Sequence, residues 1–211
     1  MNVTLVDSPV ANVANITRAL LAAGAALHVT RAAATIARAT KLVLPGVGSF
    51  VAARAWLAET KIDRAIAEAV AHGAALLGIC VGHQLLFDVS HEHGKTRGLG
   101  LVRGEVRRFE GPLPVPQIGW NRVFSECGGK AAALESGGSA TALLKDIEPG
   151  TAFYFVHSFA VRDTESEIAF AEYNGRFTAA VQQGRVFGVQ FHPEKSSAAG
   201  LRVLRNFIAC S

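Results

Sequence analysis

The chain contains 211 residues, of which 50% are hydrophobic and 18% are charged, so it can bury a full core and is too apolar to be disordered. We expect residues 1–211 to form a single domain. Lysine and arginine (21) exceed aspartate and glutamate (17) by four. The basic residues are scattered rather than arranged in a stripe with aromatics, which argues against a nucleic-acid-binding surface.

The three cysteines lie far apart, at Cys80, Cys127 and Cys210. An odd and sparse set argues against a disulfide framework and favours a reducing compartment. Charged residues or glycine interrupt each apolar run before it reaches membrane-spanning length, and the first residues are typical of a strand rather than a signal peptide. We therefore expect a cytoplasmic protein. The cysteine spacing does not suit a zinc site, and we expect neither a metal nor another cofactor.

Strands and helices alternate along the first 90 residues. Strands are predicted at 3–6, 27–30, 41–44 and 74–79. Helices are predicted to begin after Asn12 and to cover 32–39, 51–57 and 62–70. This alternation predicts an α/β fold with an open, mixed, mostly parallel sheet flanked by helices. Such sheets place their ligand sites at the carboxyl ends of strands.

A sharp turn from strand to helix is predicted at Gly78-Ile79-Cys80-Val81-Gly82. Glycines on both sides of the cysteine leave room for the strained backbone of a nucleophile elbow. A thiol at the start of a helix is favoured as the thiolate, which is its nucleophilic form. Because isolated cysteines are more often small core residues, this segment indicates a nucleophile only when the chain also supplies a base.

After residue 100 the pattern changes to shorter strands, predicted at 101–109, 151–156, 168–173, 177–181 and 186–191. Asn174-Gly175 is typical of a hairpin turn, and we expect a smaller antiparallel sheet region in the C-terminal half. A glycine-rich loop is predicted around residues 128–138, and a closing helix at 201–208. The segment His91-Glu92-His93 lacks the helical spacing of a zinc site and is interpreted as a solvated loop.

The last strand leads into His192-Pro193-Glu194. A cysteine nucleophile needs a base that keeps it as thiolate, and the base needs a carboxylate that fixes its tautomer. Residues two apart in an extended segment point to the same side, and Pro193 disfavours helical geometry at His192. Together with Cys80, this segment predicts a Cys-His-Glu triad.

The cysteine elbow at residues 78–84 and the His192-Pro193-Glu194 run resemble the triad-type, class I glutamine amidotransferases. Other runs narrow the resemblance to the glutaminase subunits of imidazole glycerol phosphate synthases, which serve histidine biosynthesis. These runs are Leu44-Pro45-Gly46-Val47-Gly48, Ile118-Gly119-Trp120-Asn121-Arg122-Val123, Tyr154-Phe155-Val156-His157-Ser158-Phe159 and Phe191-His192-Pro193-Glu194-Lys195-Ser196. The match covers effectively the whole chain.

The resemblance implies that Cys80 attacks the side-chain amide of glutamine with help from His192 and Glu194. The ammonia would pass through a channel to a separate (β/α)8-barrel cyclase subunit. The implied oxyanion donors are the N–H groups of Val47 and Val81. Glutamine contacts are implied at Gly48, Gln84 and Ser158, and contacts with the cyclase at Asn12, Trp120, Asn121 and Lys195. Neither a membrane nor a nucleic acid is expected as a partner.

Several of these assignments have structural alternatives. Gly46 and Gly48 would otherwise form an ordinary tight turn, Gln84 a surface amide, and Trp120 part of the core. For the whole chain, the rivals are a glutaminase subunit that serves a different synthase and a catalytically silent scaffold that keeps the fold. The synthase that stimulates hydrolysis distinguishes the first rival, and the intact Cys-His-Glu set argues against the second.

Overall fold

The computed structural model describes residues 1–125 and 142–210. Cys127 and the predicted glycine-rich loop lie outside the described residues. The strands, in chain order, are β1 (Asn2–Val6), β2 (Ala26–Thr30), β3 (Lys41–Gly46), β4 (Ala75–Cys80), β5 (Val89–Ser90), β6 (Thr96–Arg97), β7 (Glu105–Arg108), β8 (Gln117–Val123), β9 (Thr151–His157), β10 (Phe159–Val161), β11 (Glu167–Glu172), β12 (Arg176–Gln183) and β13 (Val186–Val189).

The large sheet has seven strands in the order β11-β12-β13-β4-β3-β1-β2. Its neighbours from β13 to β2 pair in parallel, whereas β12 and β11 are added antiparallel at one edge. Strands β3 and β4 are buried at each of their residues, as expected for parallel strands that are covered on both faces. The predicted mixed, mostly parallel sheet is therefore confirmed.

The helices that cover this sheet are α1 (Val13–Ala22), α2 (Ala33–Ile36), α3 (Phe50–Glu59), α4 (Ile62–Ala71), α5 (Val81–Gln84) and α6 (Ser197–Ala209). Helix α1 packs beside α6, and α4 packs with α2 and α3. Asn12 caps α1 as predicted, because its side-chain oxygen accepts a hydrogen bond from the Asn15 N–H at 3.2 Å.

Two smaller sheets lie beside the large one: a four-stranded sheet in the order β10-β7-β5-β6 and the antiparallel pair β8-β9. The Asn174-Gly175 hairpin is confirmed, with both residues at positive φ, but it joins β11 to β12 and so extends the large sheet. The predicted strand at 101–109 is reduced to β7. Gly100 and Gly104 adopt positive φ there and interrupt the extended chain.

The helix predicted behind Cys80 is a single turn, α5. Its continuation at Leu85-Leu86-Phe87 is fully buried, and the chain reaches strand β5 two residues later. Helix α2 is likewise shorter than its predicted span of 32–39. Among the residues that the structure describes, no helix has the length and hydrophobicity that crossing a membrane requires.

Candidate active site

Cys80 ends strand β4 in a backbone conformation that residues with side chains rarely adopt, with φ 55° and ψ −109°. The turn brings the neighbouring glycines very close to other backbone atoms, which is possible only because glycine has no side chain. A Cβ atom on Gly82 would lie 1.9 Å from the Leu44 carbonyl oxygen, and one on Gly78 would lie 2.5 Å from the Gly82 oxygen. The predicted elbow is thus present, and its glycines are required by contact as well as by conformation.

His192 and Glu194 form a buried pair in which His192 Nδ1 lies 2.8 Å from Glu194 Oε1, with each side chain 2% exposed. His192 is extended as predicted, but Glu194 lies in one turn of 3-10 helix, Pro193–Lys195. The expectation that both residues share an extended segment was therefore wrong. The tight turn, rather than strand alternation, brings the carboxylate to the ring.

Strand β9 holds the His192 turn through its backbone. The His192 N–H donates to the Tyr154 carbonyl at 2.9 Å. The Ser196 hydroxyl donates to the His192 carbonyl at 2.7 Å and accepts from the Tyr154 N–H at 3.0 Å. Helix α6 packs directly on this turn, since a Cβ atom on Gly200 would lie 1.9 Å from the Pro193 oxygen. These contacts hold the backbone of His192, and the bond to Glu194 orients its ring.

The electrostatic environment favours the imidazolium form of His192. Burial by itself lowers the pKa of this ring, but interactions with Cys80 and Glu194 outweigh burial and raise the pKa above its ordinary value. His192 Nε2 is buried and has no partner with hydrogen-bond geometry among the described residues, so the Cys80 interaction is close but not a formed hydrogen bond. Such loose geometry is common before substrate binds.

A cavity of about 230 Å³ opens beside Cys80. It brings together five of the residues predicted for the site: Gly48, Cys80, Val81, Gln84 and Ser158. Val81 occupies the first position of α5, where a helix leaves its N–H without an intrahelical acceptor. One of the two predicted oxyanion donors is therefore placed at the nucleophile.

The second predicted donor is engaged elsewhere, because the Val47 N–H donates to the Val10 carbonyl at 2.7 Å. Gly48 follows at φ +81° and lines the cavity, whereas Val47 does not. In this conformation the N–H of Val47 is unavailable to a tetrahedral intermediate. Asn12, predicted as a partner contact, is exposed at the start of α1, two residues from Val10.

Glu92 and His157 were not assigned to the site from sequence, yet both line the cavity. The prediction of a solvated loop at residues 91–93 was wrong for Glu92, which is 9% exposed and accepts a hydrogen bond from the Phe50 N–H at 2.7 Å. His157 Nδ1 donates to the Phe159 carbonyl at 2.8 Å. Burial lowers the pKa of His157 to about 4, so its ring is neutral and presents Nε2 as an acceptor.

An exposed patch lies on the outer face of strands β8 and β9. We call it the outer face and define it by Ile118, Trp120, Tyr154 and Lys195. Ile118 is 65% and Trp120 55% exposed; Trp120 meets the edge of Tyr154, and Lys195 Nζ lies 5.2 Å from the centre of the Tyr154 ring. Asn121 is not part of it, because neighbours on a strand alternate and Asn121 donates to the Glu172 carbonyl at 2.9 Å.

His83, within the elbow, is fully buried and has no hydrogen-bond partner for either ring nitrogen among the described residues. Burial, followed by the nearby His157, lowers the pKa of His83 to about 3. The unfolded chain protonates this residue below about pH 6.5, whereas the folded chain does not until about pH 3. The protein therefore loses stability as the pH falls through that interval.

We expect His83→Met to be more stable than the unsubstituted protein by a margin that grows on acidification. The margin should increase by about 2 kcal/mol between pH 8 and pH 5, since each unit below 6.5 contributes about 1.4 kcal/mol. Urea unfolding at both pH values measures it. His157 remains in both proteins and cancels from the difference, so an equal margin at the two pH values would contradict this explanation.

The family profile described as glutamine amidotransferase class-I matches residues 4–210. The imidazole glycerol phosphate synthase subunit HisH of Moorella thermoacetica is 41% identical over 208 residues, which cover 97% of this chain and 93% of that protein. The subunit of the same name from Pectobacterium atrosepticum is 40% identical over 209 residues and 99% of each chain.

Two solved structures share the fold at lower identity. One, described as a glutamine amidotransferase, aligns with a TM-score of 0.73 at 18% identity and covers 98% of this chain and 96% of its own. The other, PurLQS from Thermotoga maritima, aligns with a TM-score of 0.69 at 19% identity and covers 98% and 97%. At these identities the likeness concerns the fold alone.

Proposed function

Because this chain belongs to the class-I glutamine amidotransferase family, we propose that it is the glutaminase subunit of an imidazole glycerol phosphate synthase in histidine biosynthesis. It hydrolyses glutamine to glutamate and ammonia and delivers the ammonia to a cyclase subunit. The observation that carries the chemistry is the buried His192–Glu194 pair beside Cys80, which itself lines the cavity. The roughly 40% identity to HisH subunits over nearly the full length supports the pathway.

The proposed reaction begins when the Cys80 thiolate attacks the side-chain amide carbon of glutamine. The His192 imidazolium donates its proton to the leaving nitrogen, the C–N bond breaks, and ammonia departs from a glutamyl thioester. Water then attacks the thioester with His192 as base, and the C–S bond breaks to release glutamate. Glu194 holds the ring through Nδ1 and stabilises its charged form.

We propose that residues of the cavity wall contact both the side-chain amide and the α-ammonium group of glutamine. The Val81 N–H is the first oxyanion donor, and Gly48, Gln84 and Ser158 supply polar groups along the wall. The Glu92 carboxylate lies where it can pair with the α-ammonium group, an additional role that we propose from its burial at this wall. The Phe50 N–H at the start of α3 donates a hydrogen bond to this carboxylate and so fixes its position.

The proposed partner is a (β/α)8-barrel cyclase that docks on the outer face. Tryptophan and tyrosine are frequent anchors of protein interfaces, and this face presents the exposed Trp120 beside the half-buried Tyr154. The outer face also lies near the nucleophile. Ile118 pairs with Val156 across the two strands, and the Val156 carbonyl is 3.9 Å from Cys80 Sγ. Ammonia released at the cysteine would therefore enter the partner by a short path. We propose a cytoplasmic location for the complex.

Glutamate release measured with and without the cyclase and its nucleotide ligand tests this proposal. We expect stimulation of about 10²-fold or more, because the Val47 N–H is bonded to Val10 in the isolated chain and one missing oxyanion donor costs about 10²–10³ in rate. Gly46 and Gly48 flank Val47 and make a reorientation of its peptide inexpensive. Equal turnover in both conditions, or stimulation by a different synthase only, would contradict the assignment.

Two variants sharpen the experiment. Trp120→Ala should weaken cyclase binding by about tenfold or more and reduce stimulation at limiting cyclase, since a buried interface tryptophan typically contributes over 1 kcal/mol. Leu21→Ala is the matched control, because Leu21 on α1 is equally exposed at 55% but lies outside the outer face. The same loss of affinity in both variants would argue against docking on the outer face.

A further inference from the structure

The side chain of Gln190 is fully buried next to the nucleophile. Gln190 follows strand β13, and its backbone N–H donates to the Ala179 carbonyl at 2.9 Å. Its side-chain nitrogen Nε2 lies 3.8 Å from Cys80 Sγ, within hydrogen-bond range for sulfur. Its side-chain oxygen accepts a hydrogen bond from Gln84 Nε2 at 3.0 Å. One amide thus contacts both the nucleophile and a residue of the cavity wall.

These contacts form a row of hydrogen bonds from the Phe159 carbonyl through Gln84 and Gln190 to Cys80. The Phe159 carbonyl determines which atom donates in each of them. The Phe159 carbonyl can only accept, so the Gln84 atom 2.9 Å from it must be the side-chain nitrogen. That NH2 group also faces Gln190, so Gln190 must accept the hydrogen bond with its side-chain oxygen. The remaining group of the Gln190 amide, its NH2, is thereby directed to Cys80. The amide orientation follows from acceptor and donor chemistry alone.

A donor in this position interacts differently with the two forms of the cysteine. The neutral thiol has the Val156 carbonyl 3.9 Å away as an acceptor for its S–H. The thiolate has no proton to donate and needs N–H groups directed at the sulfur, since hydrogen bonds to a charged atom are about twice as strong as neutral ones. In a buried, low-dielectric setting that difference is larger than in water.

We propose that Gln190 is a positioning residue for the glutaminase reaction, donating to the Cys80 thiolate and holding Gln84 so that its side-chain oxygen faces the substrate. This inference rests on the proposed function and assigns it a further residue. Gln84 lines the cavity, and within residues 1–125 and 142–210 its oxygen has no hydrogen-bond partner. Gln190 therefore links the nucleophile and the cavity wall through one rigid amide.

The test measures thiolate formation directly, as the rate of Cys80 alkylation by iodoacetamide between pH 5 and pH 10, followed by mass spectrometry of the Cys80 peptide. Gln190→Met keeps the volume and removes both hydrogen bonds. We expect its alkylation at pH 7 to be about tenfold slower and the midpoint of its profile to lie about one pH unit higher. Gln190→Glu keeps the acceptor for Gln84 but places a carboxylate beside the sulfur, so its shift should be larger.

The control is Gln182→Leu, which removes another buried glutamine, one that bonds to the Gly184 carbonyl rather than to the site. Its profile should coincide with that of the unsubstituted protein. The titratable side chains already near Cys80 are the same in all three variants, and only Gln190→Glu adds one, so a shift is attributable to position 190. These side chains are His83, Glu92, His157, His192 and Glu194.

A second measurement needs no substitution of Gln190, so it tests the proposal even if that substitution prevents folding. In ¹⁵N-labelled protein, the Gln190 side-chain NH2 resonance should be protected from exchange and should move in Cys80→Ala, while that of Gln182 stays in place. Alkylation profiles that coincide for Gln190→Met, Gln190→Glu and the unsubstituted protein would overturn the proposal. A Gln190 NH2 resonance that has the same chemical shift in Cys80→Ala as in the unsubstituted protein would also overturn it. Neither readout uses glutamine or the cyclase, so both are independent of the proposed function.

Discussion

Replacing Cys80 by alanine is expected to abolish glutamine hydrolysis, with glutamate release in the presence of the cyclase falling by about 10⁴-fold or more. The side chain is the only nucleophile that the elbow presents to the cavity among the described residues, and the thioester cannot form without it. Binding groups and the oxyanion donor at Val81 would remain. The measurement is enzymatic detection of glutamate over hours, with the cyclase and its ligand present.

The control for this variant is Cys210→Ala. Cys210 is half-buried at the end of α6, away from the cavity, and its loss should leave the rate unchanged within about twofold. Cys80→Ala should also bind the cyclase as tightly as the unsubstituted chain, because the outer face does not include the cysteine. Hydrolysis near the original rate would mean that the nucleophile is misassigned.

Replacing Gly82 by alanine is expected to have the second largest effect, although only one methyl group is added. The new Cβ would lie 1.9 Å from the Leu44 carbonyl oxygen and 2.9 Å from its carbon, and neither backbone atom can rotate away. Strand β3 and the elbow must therefore separate. We expect a loss of about 1–3 kcal/mol in the free energy of unfolding and a glutaminase rate at least about 10²-fold lower, since small displacements of reacting groups have such effects.

Gly24→Ala separates conformational strain from contact in this experiment. Gly24 has φ +96°, and no atom of the described residues lies within 4 Å of a new Cβ, so alanine there should cost about 1–2 kcal/mol without touching the site. Its glutaminase rate should be unchanged. Urea unfolding and glutamate release on both variants provide the comparison. A Gly82→Ala protein with full activity would show that the elbow tolerates a wider gap from β3 than the structure indicates.

The sequence alone determined the features that depend on local chemistry. Alternating apolar runs predicted the parallel strands, Asn12 predicted a helix cap, and Asn174-Gly175 predicted a hairpin, because each depends on residues close together in the chain. The elbow was predictable for the same reason, since the glycines around Cys80 are its immediate neighbours. The resemblance of the Cys80 and His192 runs to one family then indicated the chemistry, although more than 100 residues separate them.

The tertiary structure decided what depends on contacts between distant segments. Glu92 looked solvated in sequence, and only the approach of the α3 N-terminus buries it at the cavity. The hydrogen bond from the Val47 N–H to the Val10 carbonyl could not be predicted, because the residue types in a turn do not specify how one peptide group is oriented. Gln190 likewise acquires its contact with Cys80 only where β13 lies beside β4. Contacts between distant segments are set by strand register and packing, which a one-dimensional pattern does not specify.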